Sequence, residues 1–198
     1  MPGDDYYERP LFGGAISSCF PLRFQDVSEV REVPDYQEAF ADSSSDETLI
    51  FELLDFKGEI EDNASAVWFL RDIAREQDAE DSMVQEHSGT IEVAGLQYRD
   101  GPVIYQTAVG QMTISKDSQG MEAQKSVRVY LANLRLKEFG TDVLITAYEQ
   151  ILDNSLSETG SIEEADPTVS GSLSVAEVFK LSAASFKVLD WNLFGAGA

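Results

Sequence analysis

The sequence predicts an α+β fold, a mostly antiparallel sheet with helices on both faces, forming an α/β/α sandwich in a single domain over residues 1–198. Three observations carry this. Strand signals at 103–115 (VIYQTAVGQMTIS), 127–136 (VRVYLANLRL) and 143–149 (VLITAYE) are separated by polar turns, KDSQGMEAQK and KEFGTD. Neither turn can hold a crossover helix, so these strands pair antiparallel. Residues 49–56, LIFELLDF, are apolar on both parities, as befits a central strand covered on both faces. Two further segments place apolar residues at helical spacing on one side.

The elements follow in order. Residues 1–10 are acidic and lack a basic region followed by an apolar one, so they read as a flexible extension, neither a signal nor a transit peptide. Residues 12–24, FGGAISSCFPLRF, read as one strand opened by Gly13 and Gly14, and no Gly-Lys-Ser/Thr follows to make a phosphate loop. Asp26 with Glu29 suggests a capped short helix, stopped by Pro34 because the residue before a proline is pushed to extended geometry. A short strand follows at 37–41. In 63–77, NASAVWFLRDIAREQ, Asn63 is the candidate cap and Ala66, Phe69, Leu70 and Ile73 form the apolar stripe. A strand at 83–87 is weakly indicated. Residues 153–172, acidic and punctuated by Gly and Pro, read as a mobile surface loop. Ser174 with Glu177 then forms a capping box, and Val175, Val178, Phe179, Ser182, Phe186 and Leu189 make one face of a terminal helix.

Charge bounds the partners. With 14 Lys and Arg against 36 Asp and Glu, the net charge is −22, which repels nucleic-acid phosphates and anionic lipids and favours a basic protein surface. No long uncharged apolar run predicts a transmembrane span. Cys19 is the only cysteine, so no internal disulfide can form, which fits a reducing compartment and a nuclear or cytosolic address.

Catalytic chemistry finds no support. His87 is the sole histidine and reads as a surface residue; Cys19, inside a strand, reads as a buried small side chain. No Cys/His metal spacing occurs. Asp153, Ser155, Ser157, Thr159 and Glu164 fall at calcium-loop spacing, but Glu158 stands where the sharp turn requires glycine. The expectation is a non-enzymatic protein without cofactor or metal.

The segment REVPDYQEAF, 31–40, is the candidate binding site. One reading is a helix exit with Pro34 as breaker and Asp35 in the turn. The other is a ledge, stiffened by Pro34, on which Asp35 and Gln37 share one parity and Glu38 takes the other, presenting carboxylates to a partner.

This segment resembles the R-x-V-P-D-x-Q-E-[VA]-[FY] signature of the Ran guanine nucleotide release factor family, the Mog-type Ran-binding proteins. LFGGAIS at 11–17, LIFELLDF at 49–56, LRLKEFGTDVLIT at 134–146 and DWNLFG at 190–195 resemble the family's other segments, in order along nearly the whole chain. The departures are the acidic extension, residues 80–100 and the loop at 153–172. The resemblance implies a PsbP-like α/β/α sandwich with a six-stranded antiparallel sheet. It implies binding of the GTPase Ran through Ran's basic surface, promotion of guanine nucleotide release and a role in nucleocytoplasmic transport, in nucleus and cytoplasm, as a monomer. The Ran-binding positions it implies are Arg31, Asp35, Gln37 and Glu38, with Glu52 and Asp55. The competing expectation is a PsbP-like accessory protein or a ligand-binding sandwich with another partner.

Overall fold

The computed structural model describes residues 5–98, 101–118, 121–151 and 172–195. Ten strands and two α-helices are present: β1 (Tyr6–Leu11), β2 (Ile16–Pro21), β3 (Gln25–Asp26), β4 (Gln37–Asp42), β5 (Glu47–Asp55), α1 (Ser65–Glu76), β6 (Val84–Tyr98), β7 (Gly101–Ser118), β8 (Met121–Leu136), β9 (Thr141–Gln150), α2 (Val175–Ser185) and β10 (Lys187–Val188). Seven strands form the main sheet in the order β3-β4-β5-β9-β8-β7-β6, and β1-β2-β10 form a second, smaller sheet. The expected run of β7, β8 and β9 as consecutive antiparallel neighbours holds, with Met112 opposite Val127 and Leu131 opposite Thr146.

Side-chain alternation separates two cores across the main sheet. On β8, Val127, Val129 and Leu131 face α1, packing with Phe69, Leu70 and Ala74. Ala132, Leu134 and Leu136 face the other way, towards α2 and β2, with Val178, Phe179, Ile16 and Phe20. On β9, Leu144 joins the first core and Val143, Ile145 and Ala147 the second. The period of two thus assigns each helix to its own face. Close approach of α1 requires Gly110 on β7: a Cβ there would lie 3.0 Å from Leu70 Cδ2 and 3.0 Å from the Val84 carbonyl oxygen. No described helix is long and apolar enough to cross a membrane.

Several expectations are corrected. The main sheet has seven strands rather than six, because the extended pair Gln25–Asp26 adds an edge strand against Phe40 and Ala41. Residues 12–24 are not one strand: Gly13 and Gly14 adopt φ +68° and +89° in a 3-10 turn, and the strand starts at Ile16. The extension expected to be flexible at 1–10 is ordered from Tyr6, because β1 pairs with β2 along Tyr6–Leu11 and the Ser17 hydroxyl donates to Glu8 at 2.7 Å. No helix forms over 26–33. Asp26 instead accepts from the Ser28 amide at 2.8 Å, a local turn that competes with helix. Asn63 is not the cap of α1; it lies within a 3-10 turn, Asp62–Ala64, that leads into the helix. The strand suggested at 83–87 extends to Tyr98.

The Ser174–Glu177 capping box is present, but α2 stops at Ser185. Lys187 and Val188 then pair with Ser17 and Ile16 of β2, which leaves Leu189 61% exposed instead of on a helix face. Cys19 on β2 is partly rather than fully buried. The acidic segment read as a loop, with its calcium-like spacing, lies outside the described residues apart from its last.

Candidate functional site

The segment 31–40 forms the approach to the main sheet near its short edge. Pro34–Gln37 is a tight turn, closed by the Gln37 amide donating to the Pro34 carbonyl at 2.9 Å. Asp35 and Tyr36 occupy its tip, both exposed, Tyr36 at 49%. The chain then enters β4, whose register sets Gln37 opposite Glu52 and Glu38 opposite Phe51 on β5. The Leu53 amide donates to the Tyr36 carbonyl at 2.9 Å, which ties the tip to β5.

The ledge rests on an aromatic base. Phe20, Phe40 and Phe51 pack with ring centroids 4.8, 5.6 and 6.2 Å apart. The Arg9 guanidinium lies 4.3 Å from the Phe20 ring centre and 4.8 Å from that of Phe40, and it donates to the Phe24 carbonyl. Cation–π contact and hydrogen bonding together account for this arginine so close to the core.

The six sequence-predicted residues are divided by the sheet. Glu38 shares its face with Phe40, and Asp55 shares its face with Phe51, both on the α2 side. Gln37 and Glu52 point to the α1 side, where their side chains hydrogen-bond. Arg31 is set apart from the ledge: it lines a groove on the α1 side with Val30, Ile50, Gln77 and Tyr148. Asp35, at the turn, is exposed.

The two half-buried carboxylates are tuned in the same direction. Burial pushes Glu38 above its ordinary range, partly offset by the Phe12 amide, which donates to its Oε1 at 2.6 Å; the nearby Asp26 charge adds to the rise. Burial likewise raises Glu52, partly offset by Gln37 and reinforced by Glu76 on α1. Glu38 is therefore both a carboxylate of the ledge and a tie between β4 and the 3-10 turn at Phe12–Gly14. A hollow of about 230 Å³ opens between Asp26, Pro34, Asp35 and Glu38.

Sequence reasoning missed three contributors. The Asp26–Glu29 spacing suggests a helix cap, whereas Asp26 faces Glu38. Phe12, 26 residues from Glu38, gives no local signal of that contact. Tyr36 was passed over, although an aromatic at the exposed tip of a proline turn is a recognisable contact residue. His87 lies exposed on β6, with Thr107, Tyr130, Phe179 and Lys180 beside it.

Elsewhere several described basic side chains are engaged with acids. Arg23 pairs with Asp42 at 3.0 Å and with Glu47; Arg128 pairs with Glu86 and Glu149 at 3.0 and 2.9 Å; Arg135 pairs with Asp142 at 3.0 Å. Lys125 and Lys137 pair with Asp46 and Asp62. These ion pairs do not include Asp35, Glu38, Glu52 or Asp55.

Known proteins resemble this chain along most of its length. Residues 9–150 match the family described as "Ran-interacting Mog1 protein". The chain is 32% identical to the Ran guanine nucleotide release factor of Danio rerio over 196 residues, covering 94% of this chain and 99% of that protein. It is 31% identical to the probable Ran guanine nucleotide release factor of Dictyostelium discoideum, with 96% and 97% covered. The solved structure of the Saccharomyces cerevisiae Ran-binding protein Mog1p superposes with a TM-score of 0.63 at 21% identity, covering 97% of this chain and all of the other; that likeness concerns the fold.

Proposed function

Because this chain belongs to the Mog1 family of Ran-interacting proteins, we propose that it binds the GTPase Ran and promotes release of its guanine nucleotide, in support of nuclear transport. The observation that carries the reading is the family match over residues 9–150, and exposed Asp35 before β4, Glu38 on β4 and Asp55 at the end of β5 give it a candidate acidic surface. Its partner surface on Ran is basic. The chain acts as a monomeric regulator without covalent chemistry, in nucleus and cytoplasm.

The mechanism follows from linkage. A protein that binds nucleotide-free Ran more tightly than loaded Ran weakens nucleotide binding by the same factor. Each tenfold preference supplies about 1.4 kcal/mol of coupling. Carboxylates suit the task, since they compete with phosphate oxygens for Lys and Arg groups or perturb a Mg²⁺ site. The test is to titrate the chain against Ran loaded with GDP, with GTP or with neither, and to follow release of a fluorescent nucleotide. Tightest binding to empty Ran, faster release, and association that slows as salt shortens the Debye length below about 8 Å are expected. Equal affinity for all three states would defeat the proposal.

A further inference from the structure

At the end of the main sheet away from β3 and β4, strands β6, β7 and β8 and helix α2 enclose a hollow of about 350 Å³. The strand register builds its floor. His87 lies opposite Val109 and Val109 opposite Tyr130, so these three side chains form one row across the face that α2 covers. Gly89 opposite Thr107 starts the next row, and Ile91 opposite Tyr105 the one after it. α2 supplies the wall: Phe179 packs on Tyr130 with ring centroids 5.7 Å apart, and Lys180 follows it, exposed.

Polar groups converge inside this frame. A Cβ on Gly89 would lie 3.3 Å from His87 Nε2 and 3.7 Å from Thr107 Oγ1, so the ring nitrogen and the hydroxyl approach one point above the bare glycine backbone. Thr107 is only 7% exposed, and its hydroxyl makes no hydrogen bond with the described residues. A polar group so enclosed is expected to find a partner, from the fold or from outside it. Charge in the hollow also departs from that of the chain. Acids outnumber Lys and Arg by 36 to 14, yet the lining includes Lys180 and the sole histidine and, among the described residues, no carboxylate. Two acids on the bordering elements are engaged elsewhere. Glu149 accepts from the Tyr130 hydroxyl at 2.8 Å and from Arg128 at 2.9 Å, and Glu177 accepts from the Ser174 amide at 2.8 Å. With its hydroxyl bound to Glu149, Tyr130 contributes ring surface, which Val109, Ile91 and Phe179 extend. Apolar walls with a few convergent polar groups, in about 300–1,000 Å³, are the usual composition of a small-molecule site.

We infer that this hollow binds a small organic carboxylate. Its apolar body lies against Val109, Tyr130 and Phe179, and its carboxylate is held by the His87 ring nitrogen, the Thr107 hydroxyl and the Lys180 ammonium. Charge-assisted hydrogen bonds fix the head, and ring surface fixes the body. The site adds to the Ran-binding reading and does not depend on it, since it stands on other strands than segment 31–40.

Phenylacetate is the probe. His87 is the only histidine, so its Cε1 proton gives a single imidazole resonance to follow. Titration of the full chain at fixed pH is expected to shift that resonance saturably, with a Kd of about 1 mM or below. No shift, or one that stays linear throughout, overturns the inference. 2-Phenylethanol has the same ring without the charge, and inorganic phosphate has charge without an apolar body; each should bind at least about fivefold more weakly. Equal binding of the alcohol overturns the carboxylate head, and equal binding of phosphate overturns the apolar body. Two variants test the placement. Lys180→Gln removes the cation at an exposed helix position, and Gly89→Ala fills the point between His87 and Thr107; each should weaken phenylacetate at least about threefold. Parental affinity in either variant overturns the placement. Should Gly89→Ala fail to fold, Lys180→Gln decides.

Discussion

Asp142 and Asp35 are both acids in segments that match the family, and they live in opposite surroundings. Asp142 is fully buried. Its oxygens accept from Arg135 Nε at 3.0 Å, Asn133 Nδ2 at 3.2 Å and the Lys57 amide at 2.9 Å, while Arg135 continues to Asp62 at 3.1 Å. Asp35 stands exposed at a turn tip and makes no hydrogen bond or ion pair with the described residues. One acid joins β8 and β9 to the chain at 57–62; the other has its chemistry unused within the fold. In a chain of net charge −22, cations such as Arg128 and Arg135 serve as internal mortar and leave many acids aside. Pairing inside the fold, rather than the number of acids, distinguishes structural carboxylates from those free to meet a partner.

The sharpest way to break this contrast is to remove one partner of the buried pair. Arg135→Met leaves the Asp142 carboxylate buried without its cation, and a loss of about 3–5 kcal/mol in unfolding free energy is expected in urea melts. A loss below about 1 kcal/mol would show that solvent reaches the pair and that the two acids are not so different. Asp35→Lys should do the reverse. Stability stays within about 0.5 kcal/mol, as for surface changes generally, while Ran binding falls by about 2 kcal/mol or more. Glu163→Lys, which alters net charge equally, is the control measured in the same titration. Equal losses from the two variants would mean that only bulk charge counts. Charge reversal at Glu38 is a poorer probe than at Asp35, since it also takes the acceptor from the Phe12 amide.

A smaller effect lies in the pH dependence, where buried Asp42 and partly buried Glu52 move in opposite directions. Burial pushes Asp42 up, but hydrogen bonds from Ser44 and Arg23 outweigh it and hold its carboxyl well below the usual range. Its contribution is fully present above the ordinary carboxylate value and is lost as pH falls through the depressed one. The stability gap between the parent and Asp42→Asn should therefore be constant near neutrality and close in acid. Glu52 is raised, chiefly by burial, so the folded chain holds its proton more tightly than the unfolded chain does. The parent should lose stability relative to Glu52→Gln as pH rises from the ordinary glutamate range through the raised value. Thermal melts against pH check both, and parallel curves for parent and Glu52→Gln would refute the second.

Much of the sheet was legible because its signals are local. Alternation in VRVYLANLRL and VLITAYE, with turns too short for crossovers, leaves little choice but neighbouring antiparallel strands. The terminal capping box was equally direct, since Ser174 and Glu177 are three residues apart. What escaped depends on distant pairing. Asp26 and Glu29 have the spacing of a cap, but Asp26 is drawn into an edge strand against Phe40. Tyr6–Leu11 is acidic in setting and becomes ordered only because β2 lies beside it. The candidate site was legible as a segment and not as a surface: 31–40 marks where the ledge is, while its split across two faces follows from the β4–β5 register and its tie to Phe12 from a contact 26 residues away.

The small sheet sets an order of events during synthesis. Its middle strand, β2, is flanked by β1 from the beginning of the described chain and by β10 from near its end, and the Ser18 hydroxyl donates to the Ser182 carbonyl 164 residues away. On a ribosome, β2 must wait for nearly the whole chain to emerge before its second edge is covered and the amides of Leu189 and Asp190 can donate to the Ala15 carbonyl. Loop closure over such separations slows folding far more than it weakens the finished state. The small sheet therefore matures last, when Lys187 and Val188 reach Ser17 and Ile16.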